Sequence, residues 1–268
     1  MPTYTVHAAI IGSFPLGEAD KVLTLFSSEH GIVRAVAKGA RKPRAKIAGR
    51  SDVLNVNKLL LAKGRSLDII TQAEGIEAFP ALRKDLVRLS YGFYYAELTQ
   101  HFGQGLSEES DLFYEFLVSS LRLQAEQAGE ASLLCLEFEM QLLEILGYKP
   151  ELDYCVVCRN PLTDYSVAAF HYDLGGIVCD RCFNKKVSTV REGSTNEGAE
   201  IMRGSASIHI TPLVWKRLVL ASQSSGLQQP EPPQSLVRAN QAARRIVQGY
   251  IEHRAGRRMK SLDLIAQM

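Results

Sequence analysis

Four of the five cysteines stand in two C-x-x-C pairs, which is the residue pattern in this chain best suited to chemistry. One such pair can present two thiolates to the same metal ion, and two pairs complete a tetrahedral shell of sulfur ligands. Thiolates suit Zn²⁺, and a full shell is structural because a catalytic zinc keeps one position open. The pattern therefore predicts a structural Zn²⁺ site, one per chain, with the ligands Cys155, Cys158, Cys179 and Cys182.

Other uses of the two cysteine pairs are less favoured but stay open at this point. Two disulfides need an oxidising compartment, yet residues 1–12 lack the basic and apolar segments of a secretory signal. A thioredoxin-like redox site uses a single C-x-x-C pair, whereas an iron–sulfur cluster also takes four cysteines. Cys135 stands apart in an apolar stretch, and we expect it to be a buried small hydrophobe.

Motifs of the common enzyme classes are missing from the sequence. It contains no H-E-x-x-H or H-x-E zinc motif, no G-x-x-x-x-G-K-[ST] or G-x-G-x-x-G phosphate loop, and no G-x-S-x-G nucleophile elbow. The acidic residues show no spacing that marks a catalytic pair. We therefore predict that the chain is not an enzyme, and an enzyme that uses the cysteines is the weakest hypothesis.

The secondary-structure elements that must position these cysteines can be predicted from the residue types along the chain and from the spacing of its glycines. Short runs rich in β-branched and aromatic residues, separated by glycines, predict five strands: Tyr4–Ile11, Asp20–Phe26, Ile32–Ala37, Val53–Leu61 and Leu67–Ala73. Five strands in this length predict an OB-fold barrel, with an SH3-like barrel as the alternative. The twenty residues between the cysteine pairs are long enough for a hairpin, and Gly175-Gly176 suits its tight turn, so we expect a zinc ribbon or knuckle.

Apolar residues at helical spacing predict the remaining elements. The first helix is expected to carry Leu82, Leu86, Leu89, Phe93 and Leu98. Further helices are expected after Ser107 as N-cap, from about Glu130 to Leu146, after Thr211-Pro212, and from about Ser235 to His253. The polar segment 188–206 is expected to be mobile, and Gln228–Gln234 to be a loop. We thus predict an α+β multidomain protein, with an OB-fold domain (1–80), a helical domain in two parts (81–150 and 188–268), and a four-cysteine zinc finger inserted between them (151–187).

Charge is distributed unevenly along the chain. The net charge is only +2, which excludes a globally basic nucleic-acid coat. Residues 1–80 hold 11 Lys/Arg against 7 Asp/Glu, residues 81–150 hold 5 against 11, and residues 151–268 hold 15 against 11. Two basic ends therefore enclose an acidic middle, so any nucleic acid must be bound by a local patch. No apolar run is long enough to span a membrane, and we expect a cytoplasmic protein.

A run of basic residues without one acid lies between the third and fourth predicted strands, and loops beside this part of an OB barrel commonly grip nucleic acid. The predicted DNA-binding residues are Arg34, Lys38, Arg41, Lys42, Arg44, Lys46 and Arg50. The alternative is a solvated basic loop. Tyr4 and Phe14 are the nearest aromatic residues for base stacking, although either could belong to the core.

A second basic cluster lies on and after the last predicted helix, where it could extend a nucleic-acid path or complement the C-terminus of that helix. Its members are Arg244, Arg245, Arg254, Arg257, Arg258 and Lys260. The two interpretations are equally weighted by the sequence.

The ordered set of short motifs resembles the bacterial recombination mediator family RecO. The motifs are Gly17-Glu18-Ala19-Asp20, Ala37-Lys38-Gly39-Ala40-Arg41-Lys42, Leu142–Pro150 leading into Leu152-Asp153-Tyr154-Cys155, Cys179-Asp180-Arg181-Cys182, and Tyr250-Ile251-Glu252-His253. One departure is Val53-Leu54-Asn55-Val56, where many relatives read Leu-x-Pro-Phe, which leaves the path of the fourth strand open.

The resemblance implies a non-enzymatic role in recombinational repair, at the bacterial nucleoid. Members of the family bind single- and double-stranded DNA, anneal complementary strands, work with RecR to load RecA, and contact the acidic tail of the single-stranded-DNA-binding protein (SSB). Candidate residues for that tail are Arg83, Lys84, Arg88 and Arg122, which lie in the acidic middle of the chain. The competing hypothesis is a zinc-ribbon factor of transcription or translation that binds RNA through the same basic loop.

Overall fold

The computed structural model describes residues 2–105, 109–126, 129–189, 207–223 and 234–266. The chain divides into two compact units, of which unit 1 comprises Met1–Ala131 and Met259–Met268, and unit 2 comprises Ser132–Arg258. The four-part division expected from the sequence stays a prediction. Among the described residues, none of the helices is both long enough and apolar enough to span a membrane.

Five strands of unit 1 close into a barrel in the order β1-β2-β3-β5-β4. Strands β3 and β5 are parallel, and the other neighbours are antiparallel. This confirms the predicted barrel of OB type. The strands are β1 (Thr3–Leu16), β2 (Asp20–Ser27), β3 (Gly31–Ala37), β4 (Val56–Ala62) and β5 (Asp68–Glu77).

Strands β1, β4 and β5 differ from the predicted bounds by three residues or more, and β5 continues four residues past Ala73. Strand β1 continues five residues past Ile11 because a register shift between Ile10 and Gly12 lets it pair with β4 first and β2 afterwards. Strand β4 begins at Val56 rather than Val53, since Leu54 has a φ of +75° and cannot continue a strand. The amide of Leu54 instead donates to the carbonyl of Ile10 over 2.8 Å.

Small and branched apolar side chains fill the barrel, as the period of two along each strand requires. The fully enclosed residues include Val6, Ile10, Leu25, Leu59 and Leu61. Helices α1 (Leu86–Phe102) and α2 (Ser110–Glu126) cover part of the outer face. There Phe26 of β2 meets Phe113 of α2 edge to face, with ring centroids 5.2 Å apart. The outer face of β2 is therefore closed to a ligand at this point.

Unit 2 begins within α3 (Ala131–Ile145) and contains a small three-stranded sheet. Strands β6 (Val167–His171) and β7 (Gly176–Cys179) form an antiparallel hairpin, and β8 (Ser207–His209) pairs with the other edge of β6. After α3, the described residues of unit 2 form the helices α4 (Asp180–Thr189), α5 (Pro212–Gln223) and α6 (Gln234–Ala255). The predicted cap of α5 is present, since Thr211 Oγ1 accepts from the amide of Val214 over 3.3 Å.

The described residues end in α7 (Ser261–Ala266), which returns to unit 1 and lies against α1. The carboxylate of Glu97 on α1 accepts hydrogen bonds from the amides of Lys260 and Ser261 and from the Ser261 hydroxyl. It therefore caps the N-terminus of α7 from a neighbouring helix. Three sequence predictions fall outside the described residues: the cap at Ser107, segment 190–206, and the loop up to residue 233.

Candidate metal centre and nucleic-acid interface

The four paired cysteines come together at one point of unit 2. Their Sγ atoms all lie within 4.8 Å of one another, and those of Cys158 and Cys179 are 3.8 Å apart. A tetrahedral zinc with Zn–S bonds of about 2.3 Å places its sulfurs about 3.8 Å from one another, whereas a disulfide needs about 2.05 Å. The four thiols are thus close enough to bind a metal ion, and the donor set fits zinc.

The first pair lies in a tight turn that the backbone closes. The amide of Arg159 donates to the carbonyl of Cys155, and the amide of Cys155 donates to the carbonyl of Asn160, each over 2.9 Å. Arg159 has a φ of +59°, which reverses the chain directly after Cys158. This turn is the predicted knuckle, and it directs both thiols of the pair to one side.

The second pair lies at a junction between a strand and a helix. Cys179 is the last residue of β7, and Cys182 lies in the first turn of α4. The amide of Cys179 donates to Cys155 Sγ over 3.3 Å, which joins the two pairs directly. Sequence reasoning placed the hairpin between the pairs but did not place the second pair on a helix, because α4 is only ten residues long and mostly polar.

The thiols of the cluster differ in acidity. Burial acts to raise the pKa of Cys155, but the amides of Cys158, Cys179 and Val157 stabilise its thiolate and lower its pKa to about 7. Burial raises the pKa of Cys179 and of Cys182, and hydrogen bonds with neighbouring thiols add to the increase at Cys182. The fifth cysteine, Cys135, is buried on α3 and takes no part in the cluster.

The basic loop, residues 38–51, follows β3 and is a run of successive tight turns. Hydrogen bonds three residues apart connect it, among them Lys42 N to Gly39 O and Ala48 N to Ala45 O, both 2.9 Å. Ala40 is buried in the barrel core and Ile47 packs against it. Its own backbone hydrogen bonds and these two apolar contacts thus hold the loop in place, and its basic side chains are all exposed.

Three of the predicted DNA-binding residues are held by the barrel. Arg41 Nη1 donates to the carbonyl of Gly17 over 2.6 Å, and Arg50 Nη1 donates to the carbonyl of Ala73. The guanidinium of Arg34 lies 5.4 Å from the centre of the Phe14 ring. In the described part of the chain, no side-chain hydrogen bond or ion pair occupies Lys38, Lys42, Arg44 and Lys46.

The two aromatic candidates for base stacking differ in exposure. Phe14 is 41% exposed beside Arg34, so its ring is accessible. Tyr4 is half-buried against the barrel core, and its hydroxyl donates to Asp68. Only Phe14 therefore remains available next to the basic loop.

The residues of the second basic cluster belong to different units. Arg254 is half-buried in unit 2 between the rings of Tyr148 and Tyr250, whereas Arg257 and Arg258 are exposed beyond the end of α6. Arg244 is half-buried and Arg245 is exposed on α6 itself. Lys260 belongs to unit 1.

Most of the residues suggested for an acidic tail already hold the fold together. Arg83 Nη2 donates to the carbonyl of Val53 and to Asn55 Oδ1. Arg88 donates to the carbonyls of Gln124 and Gly129, and Arg122 pairs with Glu77 over 2.8 Å. Lys84 is exposed at the end of a short 3₁₀ helix, Leu82–Lys84.

The closed five-stranded barrel defines a protein of the OB-fold class, and the four clustered thiols add a candidate metal site to it. Comparison with known proteins narrows this class. Residues 1–79 match the family model described as Recombination protein O N terminal, and residues 83–194 match Recombination protein O C terminal.

Curated relatives agree with these matches. DNA repair protein RecO of Pelotomaculum thermopropionicum is 37% identical over 182 residues, covering 68% of this chain and 69% of the relative. DNA repair protein RecO of Gloeobacter violaceus is 39% identical over 183 residues, with the same two coverages. That of Acaryochloris marina is 40% identical over 163 residues, covering 60% and 55%. The chain belongs to the RecO family of DNA repair proteins, which confirms the resemblance.

Proposed function

We propose that this chain is a DNA-binding recombination mediator that acts without covalent chemistry. The basic loop binds the phosphates of single- and double-stranded DNA, and Phe14 offers a stacking surface beside it. The observation that carries this proposal is that four cationic side chains of the ordered basic loop are exposed and, among the described residues, take part in no side-chain hydrogen bond or ion pair. Binding is mostly electrostatic and weakly selective for sequence, because phosphates carry no sequence information.

In this proposal the chain anneals complementary strands and, together with RecR, helps load RecA onto DNA coated by SSB. Its place of action is the bacterial nucleoid. The acidic tail of SSB binds a separate basic surface, for which exposed Lys84 is better suited than Arg88, whose donors are used within the fold. Cys155, Cys158, Cys179 and Cys182 hold a structural zinc ion, which supplies a rigid tetrahedral crosslink.

The direct test is charge reversal at two unoccupied loop residues. The variant Lys42→Glu/Arg44→Glu should lose about 10-fold or more in affinity for a single-stranded oligonucleotide at low salt, since phosphate contacts carry the binding. The salt dependence of log K should become shallower by about 1.4, the value for two single-strand phosphate contacts. Fluorescence anisotropy across a salt series measures both quantities.

The matched control applies the same charge change elsewhere on the barrel. Lys63 and Arg65 are exposed in the loop between β4 and β5, so Lys63→Glu/Arg65→Glu applies the same charge change to a different loop of the barrel. Equal loss in the two variants would contradict a role specific to the loop. Preference for RNA over single-stranded DNA in a competition assay would contradict the assignment to DNA.

The mediator activity requires an assay of its own. Two complementary strands coated with SSB should anneal faster with the wild-type chain than with Lys42→Glu/Arg44→Glu, and Lys63→Glu/Arg65→Glu should behave like wild type. Annealing that proceeds equally with all three chains would show that strand binding by this loop is not what drives the reaction.

A further inference from the structure

A cleft of about 330 Å³ lies within unit 2, beside the finger, and the proposed site on the basic loop makes no use of it. The finger, the segment after α3 and the last turns of α6 supply its walls. Its polar and aromatic lining consists of Tyr148, Lys149, Glu151, Arg159, Tyr250 and Arg254. The concave shape and three basic side chains mark it as a candidate for an anionic ligand.

Arg254 is held in this cleft by two tyrosine rings and by hydrogen bonds of Nη2, which leaves Nη1 for a ligand. Its guanidinium carbon lies 5.2 Å from the ring centre of Tyr148 and 5.0 Å from that of Tyr250. Nη2 donates to Tyr250 Oη over 3.0 Å and to the carbonyl of Asp173 over 3.4 Å. Among the described residues, Nε is enclosed without an acceptor and no hydrogen bond uses Nη1. A planar guanidinium positioned in this way is well suited to a phosphate or carboxylate.

The other charged groups leave the cleft positive. Arg159 is largely exposed, and the knuckle turn fixes its backbone directly after Cys158. The one acidic group of the lining is Glu151: its Oε1 accepts the amides of Asp153 and Tyr154, and its Oε2 is 3.8 Å from Arg159. Lys149 forms an exposed pair with Glu144, which is worth little in water. Two arginines therefore remain for an anion.

We infer that this cleft binds one nucleotide of a DNA strand, with its phosphate on Arg254 and Arg159 and its base on the ring of Tyr148. The inference rests on the proposed function, because it adds a second contact to DNA. Tyr148 is 41% exposed, so one face of the ring remains accessible while the other covers Arg254. A basic groove combined with an aromatic platform is the pattern of single-strand binding sites. Exposed Arg257 and Arg258 continue the basic path after α6.

The same geometry gives the finger a role in DNA binding. Arg159 keeps its place because its own amide donates to the carbonyl of Cys155, inside the turn that carries two of the four thiols. Removal of the metal should release this turn and weaken the cleft site. The affinity of the basic loop should be unchanged, since the loop belongs to unit 1.

The test compares two double variants that each remove two positive charges. Arg159→Gln/Arg254→Gln removes both arginines from the cleft, whereas Lys216→Gln/Arg238→Gln removes exposed positive charges from α5 and α6 that do not line it. With a labelled oligothymidine, the cleft variant should bind about 5- to 10-fold more weakly than wild type. The control should change by less than about 2-fold.

A cross-linking experiment locates the base. An oligonucleotide carrying 5-iododeoxyuridine should cross-link to Tyr148 on irradiation, as mapped by mass spectrometry, and this product should vanish in Tyr148→Leu. Zinc content and the urea midpoint show whether each variant is folded. If Arg254→Gln prevents folding, the same binding measurement is made with Arg159→Gln and with Tyr148→Leu. Both of these side chains are exposed, so their replacement should leave the fold intact.

The outcomes separate this inference from the proposed function. If Lys42→Glu/Arg44→Glu loses affinity while Arg159→Gln/Arg254→Gln binds like its control, the inference is wrong and the proposed function stands. If neither variant loses affinity, both are wrong. An acidic peptide that binds wild type but not the cleft variant, with DNA affinity unchanged, would assign the cleft to a peptide and overturn the inference.

Discussion

At Gly175 the backbone has a φ of +66°, and a β-carbon there would lie 2.5 Å from Tyr250 Oη and 3.0 Å from Arg254 Nη2. Two separate requirements therefore meet at one residue. The left-handed backbone favours glycine, and the hairpin turn must approach α6 closely enough for Tyr250 and Arg254 to pack on it. The sequence identified the turn, but the close approach depends on Tyr250 and Arg254, which lie 75 and 79 positions further along the chain and belong to no local pattern.

Gly175→Ala should therefore destabilise unit 2 by about 2–3 kcal/mol, of which about 1 is backbone strain and the rest is displacement of the two α6 side chains. Gly147→Ala is the matched control, since its φ is +72° and no atom lies within 4 Å of an added β-carbon. It should cost only the backbone strain. Urea unfolding of both variants measures the difference. An equal loss of unfolding free energy in the two variants would show that the contact with α6 does not contribute to stability.

At the scale of elements, the finger combines a turn, a hairpin and a helix around four thiols. The amide of Val156 donates to the carbonyl of Ile177, and that of Ile177 donates to the carbonyl of Glu151. The turn that carries Cys155 and Cys158 is therefore also hydrogen-bonded to β7. Apolar residues of the hairpin such as Phe170 and Ile177 are buried, but the two C-x-x-C turns meet at their thiols. A small element of this kind depends on its metal, because the metal binding energy is also folding energy.

Chelation should loosen residues 151–182 and leave the barrel intact. We expect the purified chain to hold about one zinc per molecule, and the amides of Cys155 and Val156 to exchange with deuterium much faster after chelation. Amides of β2 should keep their protection. Cys158→Ser should lose the metal, whereas Cys135→Ser, which changes a buried cysteine on α3, should retain it. A metal content near zero in wild type would contradict the zinc site.

Predictions from local sequence succeeded where the chemistry or the periodicity is local. The cysteine spacing predicted the four-thiol cluster, and alternation with glycine turns predicted all five strands of the barrel. The pairing of β8 with β6 was not predicted, since three exposed residues, Ser207–His209, carry no strand signal. The basic loop was recognised from its composition, but only the structure separates the tethered Arg41 and Arg50 from the unoccupied Lys42 and Arg44.

At the scale of the whole molecule, the chain leaves unit 1 at Ala131 and returns to it at Met259. Met259 is buried, and the Glu97 carboxylate holds the start of α7 through three hydrogen bonds. Sequence patterns assigned residues 188–268 to the second part of a helical domain and could not show this return. A six-residue helix has too little periodicity to reveal its partner.

Removing this carboxylate should detach the returning segment. Glu97→Gln keeps one acceptor but loses the charge at the helix N-terminus, so unit 1 should lose about 1 kcal/mol of unfolding free energy. Limited proteolysis should cut near Lys260 sooner than in wild type. Glu18→Gln, at an exposed glutamate in the β1–β2 turn, is the control and should be neutral. Unchanged cleavage near Lys260 in Glu97→Gln would show that the cap does not hold the segment.

The return of residues 259–266 to unit 1 also bears on how the chain is made. A ribosome adds these residues only after it has polymerised all of unit 2, so the barrel and its first two helices emerge early but lack α7 until then. In the nascent chain, the part of α1 that binds α7 therefore stays uncovered while about 127 further residues are synthesised. At bacterial elongation rates this takes on the order of ten seconds. Chaperone binding to ribosome-bound chains should be strongest in that interval.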